Sequence, residues 1–425
     1  MYLKKTKMRI NKIVVKVASR CNINCSYCYM YNLGDLSYKS QPKFIEEKTI
    51  ESFAKKMLTH LKKTQLGTLG IIIHGGEPLL MKKSDFINFI KHFDIIKENN
   101  IQVSFALQTN GILLDDEWCT IFKEYGVSVG VSLDGPKQEN DKFRIDKKGN
   151  GTYDDVIKGL TTLKNNNFTT GVLSVMNLSI DPEVYYKHFK NLELRAVDVL
   201  LLDANHDTHT SIFNDKITPA QWYIKVFDTW YKDEQKFRIR FFDMIIKEII
   251  GETIGIDSLG VSENNVLVLE TNGGLEAVDV LKLCGDSFTK NDINVNTHEI
   301  EEISKSDLID VYYNSGKYLP KKCLACPVQE ICGGGYLPHR YSSKNGFNNP
   351  TIYCDDLLQV ITHIQNTVID SLPNELLLQT GLSKLTYGEA LEIIAEKLPT
   401  IPEPDYIEKL ESFKKSSEHE LRDIL

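Results

Sequence analysis

From residue 10 to about 205 the chain alternates short apolar runs with longer amphipathic stretches. Ile13–Ala18, Gly70–His74, Ile101–Gln108, Val127–Asp134, Thr169–Asn177 and Val197–Asp203 read as strands. Between them the spacing changes. Ile50, Phe53, Ala54, Met57, Leu58 and Leu61 recur at i, i+3, i+4 and i+7 and predict one face of a helix. A second helix is expected from Ser84 or Asp85 as N-cap through Phe86, Phe89, Ile90 and Phe93, and a third from near Thr152 through Val156, Leu160 and Leu163. Repetition of strand and helix implies parallel strands joined by right-handed crossovers. The pattern holds six strand–helix units, fewer than a closed eightfold barrel needs. The expected fold is α/β, a partial, open, TIM-like (β/α)6 barrel over residues 10–250.

After Gly251 the pattern changes. Val266–Glu270 and Leu275–Leu281, separated by Thr271-Asn-Gly-Gly, predict a hairpin. A dense group of cysteines follows, and from Asp355 the chain reads as helical and increasingly charged, punctuated by Pro399, Pro402 and Pro404. A small module over 251–360 and a helical extension over 361–425 are expected.

With 42% hydrophobic and 25% charged residues the composition is that of a globular protein rather than a disordered one. A net charge of -8 gives no basic footprint for nucleic acid. Lys4, Lys5 and Lys7 precede an apolar run broken by Lys12 and Lys16, which is neither a signal peptide nor a membrane span. A soluble cytoplasmic protein is expected, with no nucleic-acid or membrane partner. Its nine cysteines then point to metal sites, because the cytosol keeps thiols reduced.

Chemistry in such barrels gathers at the C-terminal ends of the strands. Cys21, Cys25 and Cys28, a CX3CX2C run, stand just past the first strand. Soft thiolates select iron–sulfur or zinc, and three of them leave one metal position open for a ligand from outside the protein. A structural zinc knuckle with a distant fourth ligand is the alternative. Against it stands Gly75-Gly76-Glu77-Pro78 after the second strand, where two glycines allow close backbone approach and Glu77 can pair with an ammonium.

The triplet, with Tyr27 before its third cysteine, resembles the signature of the radical SAM superfamily. The resemblance implies a [4Fe–4S] cluster on Cys21, Cys25 and Cys28. Its open iron would hold S-adenosylmethionine, whose reductive cleavage gives methionine and a 5′-deoxyadenosyl radical. Gly75, Gly76, Glu77 and Pro78 look like the motif that holds the methionine amino group. Ser132 and Arg144, around Ser-Leu-Asp-Gly-Pro at 132–136, resemble the region that grips the ribose and carboxylate of the cofactor. Asp134 reads equally as a cofactor contact or as simple turn chemistry. Gln108-Thr109-Asn110-Gly111 either lines the site or only turns the chain.

Cys323, Cys326, Cys332 and Cys354 resemble the SPASM domain, which carries auxiliary [4Fe–4S] clusters, and imply at least one such cluster here. CX2C is also zinc-like, so a zinc site is the alternative. The usual pattern continues CX3C, but this chain has Tyr336 instead. It also lacks the cysteine that normally precedes a Gly-X4-Cys element. Cys284 alone remains of the nearer cluster, as a leftover, a redox-active thiol or a single ligand. Gly333–Gly335 lacks the Lys-Ser/Thr sequel of a phosphate loop and is expected to let the backbone fold tightly about the cluster. Cys119 reads as a core residue, and His74 and His339 as packing or supporting groups.

C-Y-M-Y-N after the triplet, S-Y-K-S-Q-P-K-F at 37–44, G-G-G-Y-L-P-H-R-Y-S at 333–342 and G-F-N-N-P-T-I-Y-C at 346–354 are similar to the cyclophane-forming, triceptide-type maturases of ribosomal peptides. That likeness, dispersed over about 10–365, implies hydrogen abstraction from a β-carbon and a carbon–carbon crosslink to an aromatic ring. Its alternatives are thioether formation, epimerisation or formylglycine formation, or a non-catalytic iron–sulfur or zinc protein. The last of the peptide chemistries is disfavoured by the missing second cluster, and the binding protein by the GGEP motif. The implied partners are a precursor peptide with a leader and a small flavodoxin- or ferredoxin-type electron donor. About ten residues precede the first strand. Leader recognition is therefore expected from the barrel, the hairpin near 266–281, the C-terminal helices or another protein. Asp203 and His206, after the sixth strand, are the candidate proton acceptors; a loop-polar or capping cluster is the alternative.

Overall fold

A computed structural model describes residues 8–209, 216–373, 375 and 383–415. The strands form where the apolar runs lie: β1 (Lys12–Ala18), β2 (Thr68–Gly75), β3 (Gln102–Thr109), β4 (Val127–Ser132), β5 (Gly171–Val175) and β6 (Ala196–Leu200). They lie in one sheet in the order β6-β5-β4-β3-β2-β1, all parallel, and Val266–Leu269 continues it beside β1. Neighbours register Val14 with Ile72 and Ile72 with Ala106. Parallel pairing obliges a crossover between successive strands. Helices Glu47–Thr64, Lys83–Lys91, Asp116–Tyr125, Tyr153–Asn165 and Pro182–Asn191 supply them.

The expected helical faces are buried except at Leu58 and Leu160, which are half-buried. Ile50, Phe53, Ala54, Met57 and Leu61 are buried along Glu47–Thr64, and Phe53 meets Phe93 edge to face at 6.2 Å. Cys119 is fully buried beside Trp118 and Phe122. Asp115 caps its helix by accepting from Trp118 N at 2.8 Å, and Gly126 ends it at φ +65°.

Two local expectations are corrected. The second helix starts at Lys83 with Lys82 as N-cap, not Ser84 or Asp85. Phe86 N already bonds Lys82 O at 2.9 Å, so the first turn closes two or three residues earlier as Phe86 enters the core. The hairpin's second strand is only Leu275–Glu276, and Asp279–Cys284 is a 3-10 helix. Residues three apart eclipse in such a helix. Asp279 and Lys282 thereby share one side, and both are buried in ion pairs that a strand's alternation would not give them.

The chain divides into two compact units. The first comprises 1–177, 188–202 and 265–313 and contains the sheet described above. The second comprises 178–187, 203–264 and 314–425. It packs helix Cys354–Ser371 against Pro219–Lys232 and Arg240–Ile249. The Pro219 helix opens with a capping box between Thr218 and Gln221, and its Phe227 meets Phe242 edge to face at 5.2 Å. Among the described residues no helix is long and apolar enough to cross a membrane.

The chain leaves β2 under a tight constraint. A Cβ on Gly76 would stand 2.1 Å from Tyr31 Oη and 2.3 Å from the Arg20 carbonyl oxygen. Gly76→Ala therefore requires main chain, not a flexible side-chain tip, to move. We expect it to cost about 1–3 kcal/mol, the range for overpacking. Anaerobic urea unfolding measures this, and an unchanged midpoint would show that the 18–20 segment yields freely.

Candidate active site

The thiol triplet is held by main chain. Asn24 N donates to Ile145 O at 2.8 Å and Ser26 N to Phe143 O at 3.0 Å, which zips the loop to the segment around Arg144. Asn32 Nδ2 donates to Cys25 O at 2.7 Å. Burial, and then Glu77 and Cys25, push the Cys21 thiol up to about 11, and burial and then Cys25 push Cys28 up to about 12. The three sulfurs thus lie within electrostatic reach of one another. Left protonated they are inert; a positive metal centre offsets the cost of the thiolate form. Among the described residues no three His, Cys, Asp or Glu converge on the position of a single metal ion. A four-iron cluster attaches its thiolates to separate irons, so it asks for a wider arrangement.

Gly75 and Gly76 bring β2 onto the main chain that leads to the triplet. Gly76 N donates to Ala18 O at 2.8 Å and Glu77 N to Arg20 O at 2.9 Å. Glu77, 1% exposed, accepts from Thr109 Oγ1 at 2.7 Å, Asn110 N at 2.8 Å and Leu79 N at 3.0 Å. Burial raises its pKa, and those donors oppose the shift. A carboxylate has about four lone-pair sites, so room for one further donor remains, as an ammonium requires. Pro78 opens the short 3-10 turn that supplies Leu79 N. Asn110 does more than turn the chain: its Nδ2 lies 2.7 Å from Asn22 Oδ1 and 3.8 Å from Cys21 Sγ.

Asp134 is more than a turn residue. Its Oδ1 accepts from Val175 N at 3.0 Å, and its Oδ2 accepts from the Tyr27 hydroxyl. Arg144 Nη1 donates to Tyr27 Oη at 3.0 Å and lies 3.8 Å from Asp134. Burial works against the Arg144 charge, but Tyr27, Cys25 and Asp134 together hold it well above its usual value. Its Nε is buried without a hydrogen-bond partner, a donor suited to a carboxylate. Ser132 Oγ accepts from Gln108 Nε2 at 2.8 Å, which joins the ends of β3 and β4. One free lone pair on Glu77 and one free donor on Arg144 fit the ammonium and carboxylate of an amino-acid-like ligand such as S-adenosylmethionine.

A further cluster in this unit escaped the sequence reading. Lys16, fully buried on β1, pairs with Asp279 and lies 2.9 Å from His74 Nδ1, and Tyr29 donates to Asp279 at 2.9 Å. Burial and then Lys16 push His74 down to about 4. Asp279 stays well below the usual carboxylate range despite its burial, because Lys16 and His74 face it. Lys16 had registered only as a break in an apolar run; an inward-facing Lys on a central strand was the available signal. Cys284, buried at the end of the same 3-10 helix, belongs to this first unit.

In the second unit Cys323, Cys326, Cys332 and Cys354 surround a cavity of about 20 Å³, closed by Val328, Leu358 and Ile394. Burial pushes Cys323 up to about 12 and Cys354 up to about 11, and Cys332 is raised by burial and then by Cys323, Cys354 and Cys326. Four thiols around one cavity, Cys323 buried and the others half-buried, whose thiolate forms would repel one another, suit a fully ligated cluster. Gly333, Gly334 and Gly335 hold φ +60°, +78° and +69°, a run that only glycine sustains. A Cβ on Gly333 would lie 1.8 Å from the Gly260 carbonyl oxygen.

Asp203 and His206 are not paired with each other. Asp203 Oδ1 lies 3.4 Å from His339 Nε2, whereas His206 Nε2 faces the Pro350 carbonyl at 2.8 Å. His339, 2% exposed, is flanked by Tyr336 and Tyr353. His339 is thus the partner of Asp203.

Residues 15–193 match the model of the Radical SAM superfamily. A cysteine-type anaerobic sulfatase-maturating enzyme of Clostridium novyi is 25% identical over 358 residues, 81% of this chain and 92% of that protein. A serine-type enzyme of the same name from Bacteroides thetaiotaomicron is 26% identical, over 86% of this chain and 92% of its own. Among solved structures, native anSMEcpe with bound AdoMet has the same fold at TM-score 0.71 and 20% identity, covering 84% of this chain and 98% of that one. Streptococcus suis SuiB bound to precursor peptide SuiA aligns at TM-score 0.54 and 15% identity, over 79% of this chain and 74% of that one. Residues 15–193 are a radical SAM domain, and this chain is a radical SAM enzyme.

Proposed function

We propose that this enzyme is a maturase that modifies a peptide or protein substrate at a Cβ–H bond. The observation that carries the reading is the three-thiol site beside Glu77 and Arg144, each with one hydrogen-bonding position left for an amino-acid-like ligand. With a four-iron cluster and S-adenosylmethionine bound, that chemistry supplies a 5′-deoxyadenosyl radical for hydrogen abstraction. The protein's part is to orient and to exclude water: Tyr27, Asp134 and Arg144 form one buried wall and the Glu77–Thr109–Asn110 cluster another. Residues 10–250 carry the partial barrel in this reading, 251–360 the auxiliary module and 361–425 the helical extension. The names of the sulfatase-maturating relatives and the SuiB–SuiA complex support a polypeptide substrate.

For the product we propose a carbon–carbon crosslink from the β-carbon to an aromatic ring of a precursor peptide. The sequence around the cysteines supports it, as does a single complete four-cysteine set with Tyr336 where the two-cluster pattern has a further cysteine. Asp203, held by His339, is the proposed acceptor of the ring proton, with His206 the second candidate; the auxiliary cluster on Cys323, Cys326, Cys332 and Cys354 takes the electron, and a small flavodoxin- or ferredoxin-type protein is the proposed electron donor to the enzyme. Formylglycine formation is the second reading, favoured by the names of the curated relatives. Both begin with removal of a β-hydrogen. A crosslink and oxidation of a serine each remove two hydrogens, but only the aldehyde reacts with hydrazines.

The anaerobically reconstituted enzyme should form 5′-deoxyadenosine from S-adenosylmethionine and dithionite in the presence of peptide, and Cys25→Ala should abolish it. Nucleoside from the variant at the wild-type rate would overturn the assignment. Cys323→Ala should keep nucleoside formation within about threefold yet lose at least about 100-fold in modified peptide, the scale of a lost catalytic group. Full peptide turnover by that variant would remove the redox role. Asp203→Asn should slow product formation about 100-fold with little change in nucleoside, whereas His206→Gln should keep most of the activity; mass spectrometry of a peptide time course reads both.

A further inference from the structure

Among the described residues of the second unit Arg340 is the most fully buried charge, at 0% exposure. Its Nη1 donates to Ser315 O at 2.9 Å and its Nη2 to the carbonyl oxygens of Tyr318 and, at 3.4 Å, Phe347. Its Nε has no partner, and among the described residues no carboxylate pairs with it. An ion removed from water without a counter-charge costs several kcal/mol. Carbonyl dipoles offset part of that cost but supply no net charge. The buried ion pairs of the first unit mark the contrast: Lys16 has Asp279, Lys282 has Glu270 at 3.1 Å, and Arg144 has Asp134.

Arg340 stands one residue behind the wall of the cysteine cavity. Gly334 lines that cavity together with Cys323, Cys326, Cys332 and Cys354. A Cβ on Gly334 would stand 3.5 Å from Arg340 Nη1, ordinary contact distance, so the guanidinium lies directly behind the residue that lines the cavity. The charge of Arg340 is felt at Cys323 and Cys332. Lys322, the other cation nearby, is partly exposed and already lies 3.5 Å from Asp355.

We infer that Arg340 is the buried counter-ion of the auxiliary cluster and sets its reduction potential. The inference rests on the reading of Cys323, Cys326, Cys332 and Cys354 as ligands of a four-iron cluster. Such a cluster on four thiolates is doubly negative when oxidised and triply negative after one electron enters. A fixed positive charge in a dry site favours the more negative state and so makes the cluster a better electron acceptor. Arg340 touches no reacting atom; it is a positioning residue that acts through the cluster.

The test uses the reconstituted full chain. Dye-mediated reductive titration with dithionite is followed by electron paramagnetic resonance, and the auxiliary signal is the one that Cys323→Ala removes. Arg340→Gln should shift the one-electron equilibrium at least about tenfold toward the oxidised cluster, 59 mV for one electron. Arg340→Lys, which keeps the charge, should stay within about threefold, as a preserved Coulomb interaction requires. Iron bound at the wild-type level in Arg340→Gln with an unmoved potential would overturn this inference alone. A wild-type chain with no auxiliary iron would overturn the cluster reading and this inference with it.

Should Arg340→Gln load no iron, unfolding of the metal-free chain decides. An uncompensated charge predicts that the substitution leaves the apo-protein as stable as before or more so. Destabilisation of the apo-protein would show that Arg340 merely pins the three carbonyls, and the inference would fail.

Discussion

Two main-chain hydrogen bonds, Gly76 N to Ala18 O and Glu77 N to Arg20 O, decide where everything at the first cysteine site stands. They join the exits of β1 and β2 at a distance that side chains on residue 76 would forbid. Arg20 leads directly into Cys21, and Glu77 reaches across to Thr109 and Asn110 at the exit of β3. Asn110 returns to Asn22 and Cys21. Three successive strand ends are thus closed into one ring of contacts. A parallel sheet puts those ends on one side, but the seam turns proximity into fixed geometry, and a cluster site depends on fixed geometry.

The energetic problem of this protein is buried charge. Taking ions out of water costs several kcal/mol each, and the cost is recovered only where geometry and hydrogen bonding are good. Lys16 with Asp279, Lys282 with Glu270 and Glu276, and Arg144 with Asp134 and Tyr27 each solve it inside the chain. The two cysteine sites differ in this respect. Beside the triplet, Arg144 has its own acid and one unfilled donor, so it holds an outside ligand without owing its stability to it. Beside the four-cysteine cavity, Arg340 has carbonyls but, among the described residues, no acid. The first arrangement suits an exchangeable ligand and the second a resident anion.

Polar networks link residues far apart in sequence here, and this governs what was legible. The cysteine spacings were visible because each set lies on a short segment whose backbone presents the thiols together. Asp134 was ambiguous because Ser-Leu-Asp-Gly-Pro is a turn by any local rule; its hydrogen bonds to Tyr27 and to Val175 N span 107 and 41 residues. His339 was a bland histidine until the fold set it against Asp203, 136 residues away. Lys16 looked like an interruption of a strand, and only its pairing with Asp279 over 263 residues explains a charge at 0% exposure.

The sequence by itself determined the six strands, the helical crossovers between them, the core faces of those helices and the two sets of thiols. Each follows from local periodicity or from ligands close together along the chain, for which neighbours in sequence suffice. The tertiary structure decided the rest: the 3-10 turn at Asp279–Cys284, the partners of Glu77, Arg144 and Asp203, and the isolation of Arg340 from any described acid. These depend on which distant groups meet in a water-free interior. There the cost of an unpaired charge is large enough to override local preference, and no spacing along the chain encodes it.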